Sequence, residues 1–490
     1  MKLLSFSRSI YLCLCIFILV LGIFLFNASQ NKSTATEIEI FHLLNRTTLG
    51  ITQSDIEQVK SQGARKYIKA QLNPESTPES DELLEKLAKI DHSVVDPAIL
   101  YQKYRQTKSL SNLEKKQRRE KLRQLTQAAV QAHLLRAIAS RHQLQEVMVN
   151  FWLNHFNVFI DKNLGTKLWM DDYEQTIRQY ALTNFRDLLG ATAHHPAMLF
   201  YLDNWQSSDP NSPGARGKFK GLNENYAREL MELHTLGVNG GYNQADVVNL
   251  ARILTGWGVD LKGQNSEHGF KFYPNRHDYQ AKVFLGNSIP ASGLEEGEIA
   301  LDLLAFHPST AKHLSYKLAQ YFVADEPPPS LVKNLAKTFL ASQGDIKTVL
   351  KTLLASPEFN AKEHYGKQFK TPYEYVVALI RTSQITKPNL SVAIRMIKRL
   401  GMPIYGSKTP DGYSHSQNSW LSPEAMLQRV SLATMIAQGV LSRPRQPVEA
   451  RQLKKTLEPY FSAHSRQIIE TSRANLRSAL ILGSPEMMYR

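Results

Sequence analysis

The 490-residue chain is 42% hydrophobic and 21% charged, apolar enough to bury a core and too apolar for a disordered chain. Both cysteines, Cys13 and Cys15, fall in the first apolar run, so the remainder has no disulfide, thiolate nucleophile or cysteine-held metal centre. The formal charge is +15, and about +12 remains without Lys2, Arg8 and Lys32, a balance that suits anionic lipid or acidic glycan and, behind an export signal, does not point to nucleic acid.

Lys2 and Arg8 precede an uninterrupted apolar stretch from Ile10 to Phe26, and the chain turns polar at Asn27. Basic flank, apolar run and polar exit are the parts of a secretory signal. The run is close to the roughly 20 residues that cross a membrane. Residues 1–36 therefore read as a signal anchor held in the membrane through residues 10–26, with a cleaved signal peptide ending near Ser33 and Ala35 as the alternative. Either way the positive flank stays inside, and the body is expected outside the cytoplasm, in the periplasm or at the cell surface.

From residue 37 the pattern is helix after helix, and 37–490 reads as one large mainly α domain. Apolar periodicity predicts helices over 37–44, 54–72 and 81–90, then a long helical stretch over 113–159 interrupted near Arg141. The run Lys115, Lys116, Gln117, Arg118, Arg119 reads as a solvated face. Further helices are expected near 171–192, 223–236, 243–256, 296–322, 330–341, 345–354, 372–384, 391–399 and 422–440. Gly, Pro and Ser from 207 to 221, and Pro327 to Pro329, separate them. One short β-hairpin is expected in a long loop, Gly269–Phe272 pairing with Lys282–Leu285. Ser356-Pro357-Glu358, Ser422-Pro423-Glu424 and Ser484-Pro485-Glu486 each carry the cap, first-turn proline and acid of a helix start.

Asn223 to Gly237 is the most informative segment. Asn223 can cap, Gly237 can stop, and Asn225, Arg228, Glu229 and Glu232 fall on one face. Two carboxylates on this face suit acid–base work or a hard cation, and with Arg228 tuning their charge Glu229, Glu232 and Arg228 are the candidate catalytic residues. The plain alternative is an exposed face with an Arg228–Glu232 ion pair. In Asn150 to Phe159, Asn150, Asn154 and Asn157 form an amide stripe among aromatics. Asparagine is a poor helix former, so the stripe should line a wet groove or complete a buried network. Asn150, Trp152, Asn154, His155, Asn157, Asp203 and Asn225 are the candidate substrate-binding residues. His194 and His195 point to different faces, and one of them can cap the turn that Pro196 begins. His155, His195, Asp203, Glu229, Glu232 and Asp278 could be gathered round an ion only without any helical His-x3-His or Glu-x2-His signature, so no metal ligand is assigned and the cofactor is unknown. Asn239 to Asp246 resembles half a calcium loop, but Thr235 and Gly237 stand where carboxylates belong, which leaves a turn with Asn243 as helix cap.

The strings His42 to Gly50, Asn150 to Phe159, His195 to Trp205, Asn223 to Gly237, Leu250 to Trp257, Phe369 to Glu374 and Pro410-Asp411-Gly412-Tyr413 together resemble the bacterial family called domain of unknown function 1800, over roughly residues 40–490. The resemblance implies an exported protein, often encoded beside a second exported family with sulfatase-like relatives. It carries over no activity, cofactor or catalytic residue. His277-Asp278-Tyr279 departs from the family's usual His-Asp-Pro, and Asn239 replaces a frequent aspartate. The expected function is binding or cleavage of surface polysaccharide. The alternatives are a non-catalytic envelope scaffold or partner of another exported protein, and a metal-dependent hydrolase.

Overall fold

The computed structural model describes residues 36–90, 96–106, 109–261 and 269–490. The Ile10–Phe26 run, Cys13 and Cys15 lie outside the described residues. Among those described, no helix is long and apolar enough to cross a membrane. The architecture is mainly α, with two antiparallel two-stranded sheets.

Local sequence explains most helix ends. The helix Asn112–Ala139 begins at a reciprocal cap between Ser111 and Glu114, and its first turns carry Lys115, Lys116 and Arg119 into solvent. Its second half buries Ala128, Ala132, Leu134, Leu135 and Ile138. The chain then breaks at Ser140–His142, where the interruption was expected, and re-enters a helix over Gln143–His155. This second helix is enclosed on almost every side, with Leu144, Val147, Met148, Phe151 and Trp152 all buried. Around it pack Glu37–Thr47, Ala64–Gln71, the end of Asn112–Ala139 and Leu164–Tyr180, and Phe151 meets the Tyr321 ring of Pro308–Phe322. Asn243 caps Gln244–Ile253 with Asp246 returning the bond, as read from the sequence. His195 caps Pro196–Tyr201, its Nδ1 accepting from the Ala197 amide at 3.1 Å.

Three expectations need correction. The expected 269–272 with 282–285 hairpin does not form. Strand β1 (Trp257–Val259) pairs with β2 (Phe270–Phe272), and β3 (Lys282–Phe284) pairs with β4 (Asn287–Ile289). Leu285 and Gly286, at φ 47° and 77°, make a two-residue turn whose twist matches its strands, so β3 closes on its nearest neighbour. Ser356 ends a helix instead of starting one. It caps the C-terminus of Ile346–Ala355, its hydroxyl donating to Leu353 O at 2.8 Å. Ser422 does start a helix, whereas Ser484 precedes only the short Pro485–Met488 turn and makes no side-chain cap. The expected helices over 54–72, 171–192 and 296–322 are each two, Gln53–Gln62 with Ala64–Gln71, Leu164–Tyr180 with Phe185–His194, and Leu294–Ala305 with Pro308–Phe322, and the helices Pro97–Arg105, Ala450–Leu457, Ala463–Thr471 and Ala474–Leu482 were not anticipated.

The two ends of the described chain meet. Arg46, fully buried on the helix Glu37–Thr47, donates to Gln368 Oε1 at 2.6 Å, His364 O at 2.8 Å and Val323 O at 3.2 Å. Gln368 in turn exchanges both backbone hydrogen bonds with Arg490, at 3.1 and 2.7 Å. A second buried network fastens the loop after β2. His277 Nε2 and Lys282 Nζ reach the two oxygens of Glu296 at 3.0 and 2.7 Å, and Arg252 holds Asp278 at 2.7 Å. His277 and Asp278 therefore brace the fold.

Candidate functional site

The amide stripe of the Gln143–His155 helix is the natural starting point. Asn154 clamps Tyr413 from both ends of its amide, donating to the carbonyl at 2.8 Å and accepting from the backbone N–H at 2.7 Å. Just past the helix end, Asn157 donates to Ser407 O and Thr409 O at 3.2 and 2.9 Å. Asn150 donates to Tyr321 Oη at 3.3 Å. Asn150, Asn154 and Asn157 all line a cavity of about 50 Å³, and two of the amides also hold the segment 407–413 against the helix. Gly412, at φ 75°, fits because a Cβ there would sit 2.4 Å from Asn154 O. Asp411 is thereby fixed at the crest of the loop.

Below the loop, the helix Asn225–Glu229 widens into a π turn over Leu230–His234. Such turns carry a surplus residue and recur at functional sites. Thr235 Oγ1 returns to Leu230 O at 2.6 Å to close it. Two of its last carbonyls are taken by histidine rings from outside: His155 Nε2 donates to His234 O at 3.1 Å, and His313 Nε2 to Leu233 O at 3.3 Å. His313 and Lys317 stand one turn apart on Pro308–Phe322, facing the Gln143–His155 helix.

The electrostatics join these parts. Burial, together with the Glu232 and Asp411 carboxylates, raises the pKa of Glu229, and Arg228 only partly opposes them. Burial lowers the Lys317 ammonium to about 8, while Asp411 works to keep its proton on. Tyr201 Oη donates to Lys408 O at 3.0 Å, and burial plus the nearby Glu229 and Asp411 push the phenol up to about 12. Glu229, Asp411, Lys317 and Tyr201 thus share one electrostatic neighbourhood. Burial lowers His234 to about 3 and His313 to about 4, and holds His155 well below its ordinary value, with Lys317 adding to each.

The expected site residues divide. Glu229 and Asn157 meet at this neighbourhood, through Tyr201 and the 407–413 loop. Glu232 turns toward Arg228, at 3.3 Å, and raises Tyr242, which burial and its own bond to Glu232 push up to about 12. Arg228 also reaches Gln244 at 2.9 Å and Glu224 at 3.7 Å, so it serves the partly exposed face beside the carboxylates. Asp203 pairs with Lys162 at 3.2 Å, and the exposed Asn225 touches Leu202 O at 3.4 Å. Trp152 is buried, its Nε1 donating to Ala181 O at 3.0 Å, and the buried His155 ring is committed to the π turn. Both are core residues, which corrects their expected place on a ligand-binding face. The residues proposed above for gathering round an ion are dispersed, His195 to Asp172 at 3.0 Å and Asp278 to Arg252. Among the described residues, no three His, Cys, Asp or Glu side chains converge as a metal would require. Sequence reasoning missed Lys317, His313 and Tyr201, which carry no local signal, and passed over Asp411, although its Pro-Asp-Gly-Tyr string stood out.

A family model described as "Protein of unknown function (DUF1800)" matches residues 42–489. No curated protein matches the chain, and no solved structure does.

Proposed function

The chain belongs to the DUF1800 family of proteins of unknown function, and from that premise we propose that it acts outside the cytoplasm, binding or cleaving surface polysaccharide through acid–base work at Glu229 and Asp411. The observation that carries this reading is the setting of Glu229: half-buried, beside two further carboxylates, and held toward the proton-bearing form. A carboxyl that holds its proton more tightly than usual suits the role of general acid toward a leaving glycosidic oxygen. Asp411, drawn to Lys317, supplies the partner carboxylate, and the Tyr201 phenol oxygen, its hydrogen given to Lys408 O, can accept from a sugar hydroxyl. Arg228 and Glu232 flank the acid and tune it without forming its contact surface.

The test uses the full chain and polysaccharide purified from the envelope of the producing bacterium, with release of reducing ends and glycan retention as readouts. Glu229→Gln and Asp411→Asn should each lower cleavage by about 100-fold or more, the usual scale for losing a general acid or base. If both variants keep their fold and every glycan interaction of the wild type, the reading fails. It fails equally if the wild type has none. A second reading, a non-catalytic partner of another exported protein, is favoured by the solvent-facing Lys115, Lys116 and Arg119 at the start of Asn112–Ala139. It expects an envelope protein to co-purify in mild detergent and to be lost when these three are changed to glutamate.

A further inference from the structure

The cavity of about 50 Å³ beside the amide stripe is walled further by His133, Leu153, Met170, Tyr373, Met402 and Tyr405. Glu229, Asp411 and Lys317 take no part in its walls. Its character comes from what lies behind His133. Glu174 is completely buried and accepts from Arg178 Nη2 at 2.7 Å and from the Tyr405 hydroxyl, with Arg136 3.6 Å away. Arg178 also grips Glu146. Two carboxylates thus face two guanidinium groups, and the cluster is neutral without a charge on His133.

His133 Nδ1 lies 3.2 Å from Glu174 Oε1, an oblique approach that is chiefly electrostatic. The proton belongs on that nitrogen, because the other tautomer would press a lone pair against a carboxylate. Nε2 then carries a lone pair, forms no hydrogen bond to the protein and is the ring atom left to the cavity. Asn150, its Nδ2 engaged by Tyr321, has Oδ1 left over at the same wall. The Tyr373 hydroxyl at the same wall has no partner and can donate or accept, the N–H groups of Asn154 and Asn157 are spent on backbone carbonyls, and no charged side chain stands in the lining. Tyr405 holds its place at φ 55°, a strained backbone for a bulky residue, and strain of this kind concentrates where a side chain must be aimed.

We propose that this cavity binds the hydroxyl end of a small neutral alcohol, its O–H donated to His133 Nε2 and its carbon body lying against Leu153, Met170 and Met402. A cation would add charge to a cluster already balanced, and an anion would find no cationic side chain in the lining, whereas a hydroxyl can give its hydrogen to His133 Nε2 and take one from Tyr373. The volume admits a few non-hydrogen atoms, so the longer part of any larger ligand leaves through the open side. This assignment stands whether or not Glu229 is an acid catalyst.

Two isomers with equal numbers of carbon and oxygen atoms separate the outcomes: 1-propanol, which donates a hydrogen bond, and methoxyethane, which cannot. The full chain carrying ¹³C-methyl methionine is titrated with each while the Met170 and Met402 signals are followed. Saturable shifts are expected, with 1-propanol bound roughly tenfold more tightly, the scale of one net hydrogen bond. His133→Phe should abolish the preference while the methionine signals still report a folded pocket. Equal affinity for the two isomers, absence of saturable shifts, or a preference that survives in His133→Phe would each overturn the proposal. The comparison of isomers needs no variant, so a misfolded His133→Phe leaves the test intact.

Discussion

His155 and His313 each give a ring N–H to a carbonyl at the end of the π turn, and His234 is buried beside them with Nε2 unpartnered. All three rings are neutral in the fold, since burial first and then Lys317 hold their pKa values down, to about 3 for His234 and about 4 for His313. In the unfolded chain a histidine titrates near 6.5. Between those limits the unfolded state binds more protons, so stability is full above about pH 6.5 and is lost as the pH falls toward 3. Urea unfolding at stepped pH should show a midpoint that declines from pH 7 to pH 4, and His313→Gln should make that decline shallower. A midpoint flat across this range would mean that the rings are hydrated.

The loop at 407–413 behaves as an element although it has no regular structure, because two asparagine side chains take the place of a ladder. Asn154→Ala removes the bonds to both backbone groups of Tyr413 and should cost about 2 kcal/mol, with amide exchange accelerated at 407–413 first. Gly412→Ala should do at least as much damage, since the new methyl meets Asn154 O and a left-handed backbone. Hydrogen exchange read by mass spectrometry checks both variants. The sequence made the stripe legible, because asparagines at that spacing in a helix demand partners. It could not say that the partners were a loop some 250 residues away, since a side-chain amide is satisfied equally by water, sugar or backbone. The caps at Asn243 and Ser422 were readable for the same local reason, whereas the same Ser-Pro-Glu string misled at 356 and 484. The strand pairing was not, because four short strands offer several registers of similar energy, and the turn at Leu285-Gly286 decides among them.

At the level of the whole molecule, the first described helix is pinned to the segment 364–368 by one guanidinium. Arg46→Ala leaves the Gln368 oxygen and two carbonyls without a donor in a dry interior, and a loss of about 3 kcal/mol is expected. Thermal unfolding read by calorimetry would register it as a clear drop in Tm, whereas Lys115→Ala on the solvated face should leave Tm unchanged. The mainly α character and the family could be read along the chain, since periodicity and motif order are linear properties. The site could not be, because Glu229, Lys317 and Asp411 come from three distant stretches and only packing brings their fields together. One ribbon, from Met402 to Tyr413, serves two rooms: Tyr405 and Tyr413 wall the cavity beside His133, and Asp411 acts on Glu229. A tenant on either side should therefore be heard on the other. Loading 1-propanol beside His133 should change the affinity for glycan, and glycan should change the alcohol's affinity by the same factor.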